Sequence, residues 1–146
     1  MKVKNNFKGA VCMREIDVVL LLLSMIFCHI VDDYYLQVGI LSNLKQKSWW
    51  KDNAPDDMYK NDYIVGLLMH SFSWAFMVML PISVYMLLHG IELNGNYIIP
   101  YLLNMVIHAI VDDLKANKKK LNLMQDQSIH LVQIVITWII FIFIIK

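Results

Sequence analysis

Apolar and polar positions fall along this chain in long blocks, not in the short periods of a water-soluble fold. From about Ile16 the run "IDVVLLLLSMIFCHIVDDYYLQV" is unbroken by glycine or proline until Gly39, and about twenty apolar residues are what a helix needs to cross a bilayer. The next stretch, "LSNLKQKSWWKDNAPDDMYKND", is charged, contains Pro55 and carries paired tryptophans, a composition suited to a loop or short helix at the headgroup level. A second apolar block runs from about Tyr63 to His89 with Pro81 inside it, where neighbouring helices can absorb a kink. After the turn "HGIELNGN", a third block extends from about Tyr97 to Leu114, with Pro100 expected in its first turn. The basic segment "KANKKKLNLMQ" closes it, and a fourth block begins near Asp126 and ends at Lys146. The pattern predicts an all-α integral membrane four-helix bundle, a single domain over residues 1–146. Its spans are approximately 16–38, 63–89, 97–114 and 126–145, with a long polar loop between the first two.

Composition sharpens the membrane reading. Apolar residues make up 58% of the chain and charged ones 17%, the mean hydropathy is +0.51, and both depart from a soluble domain of average composition. A net charge of +1 argues against nucleic acid as a partner, since phosphate binding needs a strong basic excess. Cys12 and Cys28 form no CxxC or disulfide framework. The basic start followed by an apolar run resembles a signal peptide, but no small-x-small cleavage site follows it, so it is expected to be a retained helix; Met13 is an alternative start.

Four crossings would place the end of helix 1, the start of helix 2, the end of helix 3 and the start of helix 4 on one side. His29, His70, His108 and His130 then converge there, with Asp33, Asp112 and Asp126, while His89 lies at the other face. Lys45, Lys47, Lys51, Lys60, Lys115, Lys118, Lys119 and Lys120 share the convergent side, against Lys2, Lys4, Lys8, Arg14 and Lys146 opposite. The excess assigns the cluster to the cytoplasmic face.

Histidine and aspartate four residues apart share a helical face, so His29 with Asp33 and His108 with Asp112 each present an imidazole and a carboxylate together. Two such faces can pinch one ion, and a mixed imidazole and carboxylate set suits zinc, manganese, iron or nickel. An ionised aspartate near mid-membrane costs at least ~2.5 kcal/mol on insertion scales and so calls for a compensating cation. Plain roles compete with these: Asp126 is well placed as an N-cap, and His89, Asp32 and Asp113 lie one step off the shared faces and are read as structural. The "KANKKK" run is most simply an orientation determinant or an anionic-headgroup contact.

In this order the motifs resemble domain-of-unknown-function family 3307, bacterial and phage membrane proteins. His29 to Asp33 is followed by Leu36 and Gln37, then Lys45, His70, His108 to Asp112 with Lys115, and "DQSIH" from Asp126 to His130. The resemblance covers residues 20 to 135 and implies this architecture and this polar set. The chain also resembles small four-helix inner-membrane proteins described as metal-dependent hydrolases. The departures are the extra acids Asp32 and Asp113, the acidic loop and the first twelve residues.

The expected activity is a membrane-embedded, metal-dependent hydrolase or transferase acting on a lipid or a lipid-linked, phosphorylated headgroup. His29, Asp33, His108 and Asp112 would hold a divalent transition metal, with His70 or His130 completing the shell or moving protons, and the ion would lower the pKa of a bound water toward ~7. Asp126 would serve as base, Gln127 as a substrate donor, and Lys45 and Lys115 as a phosphate clamp. Two readings from other classes remain: an ion or proton conduit, opposed by the stop of polar residues on one side, and an interaction protein whose polar centre fixes helix register. Serine or cysteine nucleophile chemistry and nucleotide cofactors find no motif.

Overall fold

The computed structural model describes residues 13–145, so the basic leader, Cys12 and Lys146 lie outside the described residues. Among these residues the protein is all helical, with no strand. The long helices are α1 (Glu15–Val31), α4 (Asp62–Leu88), α5 (Gly95–Ala116) and α6 (Leu123–Ile145), and two short ones, α2 (Ile40–Leu44) and α3 (Lys47–Asn53), sit between α1 and α4. A 3₁₀ turn at Asp57–Tyr59 completes that connection, so the polar stretch read as a loop or short helix contains two short helices and a 3₁₀ turn.

Among the described residues, three helices, α4, α5 and α6, are long and apolar enough to cross a membrane. The first predicted span does not run as one α-helix: α1 holds 17 residues, about 26 Å at 1.5 Å per residue. It then widens into a π-helical turn at Asp32–Leu36. Gly39, at φ +71°, turns the chain into α2, a backbone region that glycine enters without steric cost.

Two helix starts differ from expectation. At α6 the Asn122 side chain accepts from the Gln125 N–H at 2.9 Å while the Gln125 side chain accepts from the Asn122 N–H at 3.0 Å. This reciprocal capping box starts the helix before Asp126, which is therefore its fourth residue and not its N-cap. At α5, Asn94 caps the start by accepting from the Asn96 N–H at 3.0 Å. Pro100 is then the sixth helical residue, past the first turn, and has no N–H to offer the carbonyl of Asn96.

α4 packs against both α1 and α5, and α6 closes against α5 and α1. Met25, Trp74, Val78, Ile82 and Ile134 are fully buried between them. Trp138 on α6 donates to the carbonyl of Val18 on α1 at 2.9 Å. The surface is as apolar as the centre: Leu20, Phe27, Leu68, Phe76, Leu103 and Ile136 all point outward, while four aspartates and histidines at one end point in. That arrangement is the reverse of what water selects.

α2 is held against the assembly by contacts that place Lys45. Asn117, at the end of α5, donates to the carbonyl of Lys45 at 3.1 Å and accepts from the Lys47 N–H at 2.7 Å. On α4, Gly66 sits so close that a Cβ there would lie 2.5 Å from the carbonyl oxygen of Leu44. Gly66→Ala is expected to push α2 away and to lower the unfolding free energy in detergent by ~1–3 kcal/mol. Gly95→Ala, whose methyl would meet nothing within 4 Å, is expected to hold or raise it, and thermal unfolding of both variants checks the contrast.

Candidate metal centre

The four helix ends gather every histidine of the expected set. His70 and His108 have ring centroids 4.8 Å apart, His108 stacks on His130 at 4.1 Å, and His130 meets His29 at 5.9 Å. His89 stays at the other end, stacked on Tyr85 at 4.0 Å. α1 and α5 contribute their C-terminal ends and α6 its N-terminal end, and all three of His29, His108 and His130 are essentially without solvent exposure.

Two overlapping groups have ligand atoms close enough to share an ion: Asp33, His70 and His108, and His108, Asp112 and His130. In the first, Nε2 of His70 lies 2.9 Å from Nε2 of His108 and 3.7 Å from Oδ1 of Asp33. Asp112 Oδ2 flanks the same pair at 3.4 Å from His70 and 3.9 Å from His108. Ligands at ~2.0–2.1 Å around a tetrahedral ion sit ~3.3 Å from one another, so the spacing brackets what such an ion needs. Asp33 Oδ1 and Nδ1 of His108 are buried without a hydrogen-bond partner among the described residues, as are both ring nitrogens of His130. Buried polar atoms of this kind call for an explanation, and an ion is one.

His29 is not part of either group. Trp74 Nε1 donates to His29 Nδ1 at 2.8 Å, and because an indole nitrogen can only donate, that ring nitrogen carries the lone pair. The proton is on Nε2, which donates to Oε1 of Gln127 at 3.1 Å. Gln127 in turn donates to Oδ2 of Asp33 and Oδ2 of Asp126, both at 3.1 Å. Both amide hydrogens of Gln127 are thereby engaged with carboxylates, so it has none left for a substrate. Trp74, His29 and Gln127 form a scaffold that orients the acids.

The lysines are also engaged. Lys45 bonds Oδ2 of Asp112 at 2.5 Å and Lys115 bonds Oδ2 of Asp126 at 2.5 Å, so both lysines expected as a phosphate clamp serve here as internal counter-ions. His130 lies between the same acids, 3.7 Å from Asp112 Oδ1 and 3.4 Å from Asp126 Oδ1.

Asp32, read from spacing as structural, is buried in the cluster with 1% exposure. It accepts from Ser73 Oγ at 2.6 Å and faces Nδ1 of His70 at 3.5 Å. The π turn explains the error: a wider turn shifts the phase of the residues beyond Val31, so adjacent Asp32 and Asp33 both reach the interior. Asp113 is on the rim, paired with Lys118 at 2.9 Å, in keeping with a structural role. Trp74 was missed altogether. Its ring stacks on His108 at 4.3 Å, and the only signal was its place one helical turn after His70.

Deeper between the helices, Asn104 donates to Thr137 at 2.9 Å, and Gln133 donates to Asn104 Oδ1 at 2.8 Å. Polar groups therefore continue below the histidines, which the sequence did not indicate.

The family model described as "Protein of unknown function (DUF3307)" matches residues 20–146, and the chain belongs to that family. Comparison with curated proteins and with solved structures finds no match.

The tautomer of His29 is directly checkable. ¹⁵N NMR of labelled protein in micelles is expected to show Nε2 protonated and Nδ1 bare. Trp74→Phe, which keeps an aromatic ring beside His108 but removes the donor, is expected to mix the tautomers and cost ~1–3 kcal/mol of stability.

Proposed function

We propose that this protein is an integral membrane four-helix bundle whose His/Asp cluster holds a divalent transition metal and hydrolyses or transfers a group on a lipid or lipid-linked substrate. In this reading α1 crosses with the other three helices, its shorter α-helical length extended by the π turn. The excess of lysine at the cluster end favours a cytoplasmic orientation in a bacterial inner membrane. Outward aliphatic side chains on all four long helices support the lipid setting.

The observation that carries the reading is an imbalance of charge. Asp32, Asp33, Asp112 and Asp126 are packed together, with Lys45 bonded to Asp112, Lys115 to Asp126 and the His130 ring between those same two acids, so Asp32 and Asp33 have hydrogen-bond donors but, among the described residues, no lysine beside the converging imidazole nitrogens. A divalent cation would balance them. Asp33, His70 and His108 fit best as its ligands, because Asp112 is already compensated by Lys45. Three protein ligands and an open side are the pattern of a catalytic rather than a structural zinc-type site.

Asp32 faces the outer ring nitrogen of His70 and would hold that ring in the ligating tautomer, as carboxylates beside ligating histidines do. Ser73 fixes Asp32 in turn. A bound divalent ion supplies an activated water nucleophile at neutral pH. His130, between Asp112 and Asp126, is placed to take a proton from the reacting centre and hand it to a leaving group. Gln127 and His29 keep Asp33 and Asp126 aimed, and Lys115 offsets the charge on Asp126.

A conduit is the second reading, favoured by the Asn104–Gln133–Thr137 network below the histidines. Its groups bond one another, and the layer beyond them is Met79, Ile82, Met86 and Phe141, which argues against a continuous path. A purely register-setting role, as in an interaction protein, would leave the charge imbalance without a partner.

Elemental mass spectrometry of chelator-free protein in detergent is expected to find about one equivalent of zinc, manganese or iron. His108→Asn, at the residue both groups share, is expected to lose it, as are His70→Asn and Asp33→Asn. His29→Asn is expected to retain it, and Asp32→Asn to weaken affinity ~10–100-fold. A wild-type protein still empty after incubation with all three metals overturns the reading.

A further inference from the structure

A cavity of about 550 Å³ opens beside the cluster, between the short helices α2 and α3 and the first turns of α4. Its size falls within the ~300–1,000 Å³ of sites that take small organic ligands. Its walls are of two kinds. Leu36, Leu41, Leu44, Val65 and Met69 with the ring of Trp50 make an open apolar wall, on which Leu36, Leu41, Val65 and Met69 are about half or more exposed, and Asp32, His70 and Ser73 make a polar end that borders the metal centre through His70.

Among the described residues, no lysine or arginine lines it. Lys45, the nearest candidate in sequence, is turned away onto Asp112. A phosphate seated here would face Asp32 and Asp62 without a positive partner, so the part of a ligand that fits is uncharged. One donor at its edge is unused: the side-chain N–H₂ of Gln37, a lining residue, is shielded from solvent and lacks a partner among the described residues, and a turn of that side chain would bring it to the cavity. An oxygen acceptor on the ligand, placed between chain and polar end, would satisfy it.

We propose that this cavity receives the aliphatic chain of a lipid substrate, laying its oxygen-bearing linkage against Gln37 and His70 so that any charged headgroup remains outside. The inference rests on the catalytic reading of the metal centre for its purpose but on the cavity alone for its binding claim. It makes the substrate class an acyl or isoprenoid amphiphile gripped by its tail. Specificity would then depend on chain length and on the linkage oxygen more than on headgroup charge. The position of α2 over the opening, set by Gly66 and Asn117, makes the short-helix segment part of the binding site and not only a connection.

The test uses the full-length protein in detergent and an uncharged medium-chain monoacylglycerol carrying a diazirine at the chain end. Photolabelling followed by peptide mass spectrometry is expected to mark Leu41, Leu44, Val65 and Met69. Val65→Trp and Leu41→Trp, which fill the cavity from opposite walls, are each expected to cut that labelling at least about tenfold with metal content unchanged. Labelling spread equally over outward residues such as Leu103 and Ile136, and indifferent to both tryptophans, overturns the proposal while leaving the metal centre standing. Confined, tryptophan-sensitive labelling in a protein that binds no metal upholds the chain site and removes only its catalytic purpose.

Discussion

Four carboxylates buried among apolar helices are tolerable only if each meets a cation or a hydrogen-bond donor, and that requirement accounts for the arrangement of the cluster end. Asp112 is met by Lys45, Asp126 by Lys115 and Gln127, Asp33 by Gln127, and Asp32 by Ser73. These partners come from α4, α5, α6 and the start of the short-helix segment, so the electrostatic constraint is also a tertiary one. No helix could be moved without uncovering a charge.

The same constraint explains the rigid scaffold behind the candidate ligands. Trp74 fixes the tautomer of His29, His29 fixes Gln127, and Gln127 holds two acids at once. The indole can only donate, and that sets the sense of the His29 and Gln127 bonds in turn, which leaves little freedom for the carboxylates to turn away. Hydrogen bonds in a site excluded from water are stronger than in solution and more costly when left unmade. A reactive centre built on such a scaffold is preorganised, which is what electrostatic catalysis asks of a protein. The adjoining cavity has Asp32, His70 and Ser73 on one wall, so it meets the cluster at His70.

Much of the candidate site was legible because helical spacing is a strong rule. His108 and Asp112 could be paired from their separation of four, and their helix remains regular to Ala116. The rule failed at Asp32, where the π turn changes the number of residues per turn, and nothing in "VDDYYL" announces that change. Asp126 was misjudged for a different reason: the capping residues Asn122 and Gln125 have the right spacing for a box, a local signal that a closer reading of "NLMQ" would have found. Trp74 carried no signal of its own, since a tryptophan in an apolar helix is ordinarily core, and only its contact with His29 and His108 distinguishes it.

Sequence alone determined that the chain is helical, where its long apolar segments lie and to which end of the molecule the histidines and aspartates belong, because hydrophobic blocks and fourfold spacing act within one segment; it did not determine the break of the first helix at Val31. It also determined the family. Tertiary structure decided which nitrogen faces which oxygen: that His29 supports while His70 and His108 converge, that both lysines neutralise acids, and that a cavity lies under α2. Those outcomes depend on contacts between residues up to 98 positions apart, and on the close approach at Gly66. Their energies exist only once the helices have packed.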